Sequence, residues 1–133
     1  MKHLVVTDTG WATIVEGSDN DSLSDLQKMV NGLITYVPCQ KAWHGLDCWV
    51  NEDGDFRPEL YPNYVASYEC NYPLAGVAVI NRSNSQGETI GLTDDDIQNI
   101  KRVLDVDEKI HTPQDIVKYN EQRKVEYVEA NSL

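Results

Sequence analysis

The sequence predicts an α+β fold: a single domain with a mostly antiparallel sheet, helices packed on one face and an added C-terminal helix. Three observations predict it. The length of 133 residues fits one domain. Short apolar, β-branched runs are separated by turn residues, and amphipathic stretches that begin at capping residues lie between them. We place an α+β core domain at 1–104 and a C-terminal helical extension at 105–133.

Five short runs are predicted to form strands. The runs at 3–7 and 11–15 flank a turn and form an opening hairpin. The run at 33–37 ends at a proline, and the run at 46–50 precedes an Asn-Glu-Asp-Gly turn, so these two form a second hairpin. The run at 76–80, Gly-Val-Ala-Val-Ile, is the most strand-like and is expected to lie centrally in the sheet.

The first helix is predicted between Ser22 and Gly32. The Ser22 hydroxyl can cap free amides of the first turn, and Gly32 can take the left-handed conformation that ends a helix. Its apolar stripe, expected to cover the sheet, consists of Leu23, Leu26, Met29 and Val30.

A short helix is predicted at 61–70, with Pro62 at its first helical position. Its apolar face would carry Tyr64, Val65 and Tyr68.

Two further helices begin at threonine caps. Thr93 caps a helix at 94–104, and three aspartates in its first turn favour the positive end of the helix dipole. Thr112 caps the last helix, which docks on the domain or packs on a second copy of the chain. The buried stripe of the 94–104 helix is expected to consist of Ile97, Ile100, Val103 and Leu104.

The charge balance argues against nucleic acid as a partner. The chain carries 22 acidic and 11 basic residues, a net charge of −11, and its surface should repel phosphates. No run reaches the ~20 apolar residues that a membrane-spanning helix needs. We therefore expect a cytoplasmic protein with no direct contact to nucleic acid or membrane.

The cysteines raise the question of a metal site. Cys39, His44 and Cys48 are spaced C-x4-H-x3-C, with Cys70 further along, and zinc prefers such ligands. The usual C-x2-C and H-x3-H spacings are missing, so ordinary part-buried thiols are the favoured interpretation. An odd cysteine count suits a reducing compartment. No metal and no cofactor are expected.

No catalytic arrangement is recognisable in the sequence. His44 near Cys39 or Cys48 is the one local pairing of a base with a nucleophile, and neither cysteine lies at a helix start or sharp turn. The glycine-rich phosphate-binding motifs are missing. The sequence therefore predicts a protein that is not an enzyme.

A dense aromatic region is the candidate binding surface. Aromatic and arginine side chains dominate binding hot spots in protein interfaces, and aromatics also stack on bases. The alternative is that about half of these residues belong to the core. The candidate residues are Trp43, Trp49, Phe56, Arg57, Tyr61, Tyr64 and Tyr68, with Tyr72 at the end of the region.

Five motifs in order resemble a small domain family of unknown function that is common in bacteriophage genomes. They are LQKMVNGLI at 26–34, VNEDG at 50–54, PNYVA at 62–66, AGVAV at 75–79 and GLTDDDI at 91–97. The resemblance covers residues 2–104 and implies a phage accessory role, with the cytoplasm of the host cell as the expected location. The chain departs from the family pattern at Thr35, where an acidic residue is usual, and at Tyr64, where a basic residue is common.

Two functions are expected from this combination. The first is a non-enzymatic phage accessory protein that binds a host protein and modulates or inhibits it through an acidic, aromatic surface, with a possible homodimer through the C-terminal helix. The alternative is a protein that binds or sequesters a small ligand such as a nucleotide signal. It would use aromatic stacking with Arg57, Arg82 or Lys41 against phosphate.

Overall fold

The structure is a computed structural model that describes residues 1–132. Within these residues, the fold consists of a seven-stranded sheet and four helices. A short 3-10 turn, Gly54–Phe56, follows the fourth strand. The other elements are β1 Lys2–Val6, β2 Ala12–Glu16, α1 Ser22–Val30, β3 Ile34–Pro38, β4 Asp47–Asn51, α2 Tyr64–Cys70, β5 Ala78–Ser83, β6 Thr89–Ile90, α3 Asp94–Lys101, β7 Asp107–His111 and α4 Pro113–Ala130.

The sheet has the order β3-β4-β5-β1-β2-β7, and the short β6 pairs with the end of β5. All pairings are antiparallel except that of β2 with β7, which is parallel. The α+β class, the two predicted hairpins β1–β2 and β3–β4, and the central position of β5 are therefore confirmed.

Helices cover both faces of the sheet, which corrects the expectation of one covered face. Consecutive residues of the central strands are buried on opposite sides, as in Leu4, Val5 and Val6 of β1, all of them inaccessible to solvent. A strand that buries both of its faces is a continuous apolar run, not an alternating one. The runs Leu-Val-Val and Ala-Val-Ile in the sequence have this pattern.

Ala66 and Cys70 of α2 and Ile100 of α3 pack against the first face of the sheet. We call it the α2/α3 face. On the opposite face, the α1/α4 face, three side chains of α1 and Ile116 of α4 pack together with Val5, Val15 and Val79 of the sheet. The three from α1 are Leu26, Met29 and Val30.

Helix α1 differs from the prediction at both ends. Asp21, one residue before Ser22, is the N-cap and accepts a hydrogen bond from the Ser24 amide at 3.2 Å. Asn31, with φ 62°, takes the left-handed position that was assigned to Gly32. Gly32 is needed for a different reason: a Cβ there would lie 2.6 Å from Nδ2 of Asn51.

The capping residues position the other helices. Asn63, not Pro62, begins α2, because its side chain accepts from the Ala66 amide while Nδ2 donates to the carbonyls of Val6 and Gly76. Thr93 caps α3 as predicted, and the structure adds a capping box in which the Asp96 side chain accepts from the Thr93 amide.

Two apolar side chains that were assigned to buried stripes are exposed. Leu23 lies at the solvent side of the first turn of α1. Helix α3 ends at Lys101, so Val103 lies beyond it and is 59% exposed.

The segment after residue 105 contributes a strand that the sequence did not predict. β7 is charged and mostly exposed, and it pairs in parallel with β2 at the edge of the sheet. α4 then begins at the predicted Thr112 cap with Pro113 in the first turn. None of the helices in the described part of the chain is both long and apolar enough to cross a membrane.

Candidate functional site

Helix α2 presents two tyrosines to solvent. Tyr64 and Tyr68 are four residues apart, on one side of the helix, and are 78% and 67% exposed. Ala66 and Cys70 face the opposite side and are buried in the core. The sequence predicted an apolar face that carries Tyr64, Val65 and Tyr68. In the structure, the two tyrosines of that face are exposed to solvent, and both stay binding candidates.

A groove runs along the exposed side of α2. It has a volume of about 540 Å³, and its walls are formed by the 41–43 turn, by α2 and by Val103 and Leu104 after α3. We call it the α2 groove. Most of its lining is apolar, and Lys41 Nζ lies 5.1 Å from the centre of the Tyr68 ring, which is a cation–π distance.

Glu69 fixes the wall of the α2 groove to the helix. Its buried carboxylate accepts a hydrogen bond from the Trp43 amide at 2.9 Å, and its backbone carbonyl accepts from the amides of Gln40 and Lys41. Because the turn is held at three points, the groove is preformed. The Trp43 ring is buried beside it, and its Nε1 has no partner among the residues that the structure describes.

The remaining predicted site residues do not join this groove. Trp49 is half-buried on the α1/α4 face, where its Nε1 donates to Oδ1 of Asn81 at 2.8 Å. Tyr61 lies under α4, with the Arg123 guanidinium 4.6 Å from its ring centre. Phe56 is 84% exposed, in the 3-10 turn after β4.

The arginines that were considered as phosphate ligands are already paired. Arg57 donates to Glu59 at 2.7 Å and to the Asn31 carbonyl at 2.8 Å. Arg82 forms a bidentate ion pair with Asp96, and this pairing lowers the pKa of the Asp96 carboxyl to about 2. Both guanidiniums therefore support the fold, and Lys41 is the candidate cation that borders a groove.

The three cysteines converge in the core of the α2/α3 face. Cys39, Cys48 and Cys70 are free thiols and nearly inaccessible to solvent. Hydrogen bonds shared with Cys70, together with burial, raise the pKa values of Cys39 and Cys48, and the same contacts hold the pKa of Cys70 below its ordinary value. His44 is exposed, and no group of three potential ligands able to hold a metal ion occurs within 1–132. The arrangement is that of packed thiols.

A buried histidine on the α1/α4 face was not predicted from the sequence. His3 of β1 is inaccessible to solvent, and its Nδ1 lies 3.3 Å from Nδ2 of Asn81. Burial lowers its pKa to about 4, although the nearby Asp25 carboxylate opposes the shift. Its position next to the run Leu-Val-Val was the available signal, because a residue within a two-sided buried strand is itself buried.

Val103 and Leu104 were also missed as groove residues. Their helical spacing from Ile100 predicted the core, and Leu104 does pack against the core of the α2/α3 face. Both residues nevertheless lie beyond the end of α3 and line the α2 groove. An end at Lys101 has no glycine signal in the sequence, so the apolar pattern alone overextended the helix.

The chain matches a known protein family. A family model described as a domain of unknown function, DUF3846, matches residues 1–105. No curated protein and no solved structure matches the chain. The match covers most of the 133 residues, from β1 through α3. The chain therefore belongs to the DUF3846 family of domains of unknown function.

Proposed function

We propose that the protein is a non-enzymatic binding module that engages a partner protein through the α2 groove. The observation that carries the proposal is the pair of exposed tyrosines, Tyr64 and Tyr68, at the border of a preformed apolar groove. Aromatic side chains at such positions provide most of the binding free energy of protein interfaces.

The lining of the α2 groove favours a protein over a small polar ligand. The apolar stretch formed by Val65, Val103 and Leu104 offers van der Waals contact but few hydrogen-bonding groups. Lys41 over the Tyr68 ring supplies one polar anchor at the rim. An apolar side chain of a partner would fill the groove, with the two tyrosines closing over it.

The acidic charge of the chain favours a basic protein as the partner. A net charge of −11 at neutral pH accelerates association with a basic protein and slows association with an acidic one. The finer part of the proposal is that the protein is encoded by a bacteriophage and modulates or inhibits a basic host protein. This part is supported by the resemblance of the five motifs to a family common in phage genomes.

Photo-crosslinking from the groove tests the proposal. A photoreactive phenylalanine analogue placed at position 68 should crosslink one partner from host lysate, whereas the same analogue at position 56 should not. The captured protein is then produced in pure form and titrated calorimetrically. We expect Tyr64→Ala and Tyr68→Ala each to weaken binding about 10-fold or more.

Phe56→Ala is the matched control, because Phe56 is an exposed aromatic outside the groove. Its affinity should stay within about 2-fold of that of the unchanged protein. Equal affinity for the double tyrosine variant would contradict the proposal. So would steady turnover in a substrate panel that is lost in His44→Ala, since that result would indicate an enzyme.

A further inference from the structure

Strand β3 forms one edge of the sheet and leaves backbone groups unpaired. Leu33 accepts a hydrogen bond from the Glu52 amide at 2.9 Å, and the Cys39 amide donates to Leu46 at 3.1 Å. In an antiparallel pair, residues alternate between bonding to the partner strand and pointing away from it. With the register Thr35↔Val50, the backbone groups of Ile34 and Tyr36 therefore point outward.

The outward groups have no internal partner. Within residues 1–132, no hydrogen bond reaches the amide or carbonyl of Ile34 or Tyr36 from the outer side. Pro38 ends the free edge, because it lacks an amide hydrogen. The edge can therefore pair with an extended segment only a few residues long, which protects it against long, unspecific strand pairing.

A trough lies beside this edge. It has a volume of about 390 Å³ and runs between the β3–β4 hairpin and the segment that follows α2. Val37 and Val50 contribute to one side, and Tyr72 and Leu74 to the other. The trough shares no lining residue with the α2 groove.

The charges along the trough have one sign. Among the described residues that line it, the charged ones are Glu52 and Asp55, both acidic. A second copy of this chain would bring a further net charge of −11 to the same edge, so self-pairing is opposed by like-charge repulsion. A basic segment is favoured by the same electrostatics.

We propose that the β3 edge takes up an extended, basic peptide segment of a partner protein as an additional strand. The segment pairs with the backbone groups of Ile34 and Tyr36, places an apolar side chain in the trough and sets a lysine or arginine beside Glu52 or Asp55. Backbone pairing supplies affinity in such strand addition, and the pockets for alternate side chains supply specificity. The inference goes beyond the α2 groove and stands whether or not that groove binds a protein.

The probe is a fluorescent seven-residue peptide with alternating valine and threonine and a lysine at each end. We expect saturable binding below about 1 mM. Hydrogen exchange at the amides of Ile34 and Tyr36 should slow at least about 10-fold, while the amide of Thr35, already paired with β4, should not change. Failure to bind at 1 mM would overturn the proposal.

Two peptide controls examine the pairing itself. N-methylation of every second amide removes the hydrogen-bond donors from one edge of the peptide and leaves the other edge free. Of the two alternating sets, one should abolish binding and the other should be tolerated; equal effects of both sets count against strand addition. Replacing both lysines with glutamate should weaken binding about 10-fold, and an unchanged affinity would contradict the charge argument.

Tyr36→Pro provides the control in the protein. The Tyr36 amide points away from β4, so a proline there is compatible with an edge strand and should leave the fold intact. We expect this variant, with an unchanged far-ultraviolet circular dichroism spectrum, to lose peptide binding, whereas Tyr68→Ala should retain it. If the unchanged protein instead forms a dimer that Tyr36→Pro disrupts, a second copy occupies the edge and the proposal is wrong.

Discussion

Two helices cover each face of the sheet. The α1/α4 face, with a cleft of about 160 Å³ beside its helices, is the more closed face, and the α2/α3 face, with a groove of about 540 Å³, is the more open one. On the α1/α4 face, the helices are tied down by polar contacts from α4, including Asn120 Nδ2 to the Met29 carbonyl at 2.8 Å and Arg123 to the Asp8 carboxylate. On the α2/α3 face, an open groove bordered by Tyr64 and Tyr68 lies between α2, the 41–43 turn and the residues that follow α3. We infer that the closed face stabilises the fold, and the partner contact that we propose falls on the open face.

The largest expected effect lies at the centre of the closed face. Ile116 is inaccessible to solvent and is the fully buried residue of α4. Ile116→Ala should lower the free energy of unfolding by about 2–5 kcal/mol, because it removes apolar contacts and leaves a cavity. Urea unfolding measures the change. Val128→Ala, at an exposed position of the same helix, should stay within about 0.5 kcal/mol, and equal losses in both variants would refute a closed face.

The pH dependence of stability should report on His3. The unfolded chain binds the proton near pH 6.5 and the folded protein only near pH 4, so the unfolded state holds more protons between these values. Stability should therefore be fully present above pH 6.5 and fall by about 3 kcal/mol as the pH drops to 4. Denaturant unfolding at a series of pH values measures this slope.

His3→Gln should flatten that slope between pH 6.5 and 4, even if it lowers the stability at every pH. His44→Gln is the matched control, since His44 is exposed and should leave the slope unchanged. A slope that survives in His3→Gln would show that other groups titrate instead.

The contacts between Asp8 and α4 should contribute less to the free energy of unfolding than Ile116 or His3. The Asp8 carboxylate accepts hydrogen bonds from Arg123 at 2.6 Å and from the Tyr119 hydroxyl at 2.7 Å. Asp8→Ala leaves both donors without this acceptor and should cost about 1–3 kcal/mol. Faster amide hydrogen exchange in α4 would locate the effect. Glu126→Ala, which removes the exposed partner of Arg123, should change stability by less than about 1 kcal/mol.

The smallest effect on stability is expected on the open face. Tyr64→Ala and Tyr68→Ala should each change the free energy of unfolding by no more than about 0.5 kcal/mol, because the side chains are largely exposed. Thermal unfolding measures this change. A loss of several kcal/mol would mean that the tyrosines support the fold, and it would erase the difference between the two faces.

Local signals in the sequence were sufficient for most of the fold. The capping threonines Thr93 and Thr112 located two helix starts, since a side-chain acceptor beside free amides acts within a few residues. β7 was missed because its sequence, Asp-Glu-Lys-Ile-His, lacks an apolar pattern; parallel pairing with β2 orders it. Pairing between distant segments is a tertiary effect that no local pattern encodes.

The sequence predicted which aromatic region contains the candidate site, but not which of its side chains are exposed. The aromatic region contained Tyr64 and Tyr68, yet the sequence could not separate them from Trp43 and Trp49, whose rings support the fold. Which aromatic is exposed depends on how α2 rotates over the sheet. Asn63 sets that rotation through its buried bonds to Val6 and Gly76, contacts between segments that are remote in the sequence.

The parallel strand β7 has a consequence for fragments of this protein. The family model ends at residue 105, whereas β7 begins at Asp107. A chain cut at that boundary would leave β2 as an edge strand with unpaired backbone amides and carbonyls. Four of the five residues of β2 are buried in the full chain. Exposed edge strands of this kind pair with other chains and cause aggregation. By pairing with β2, the charged strand β7 covers this edge and keeps the domain soluble. Expression of the domain should therefore include β7.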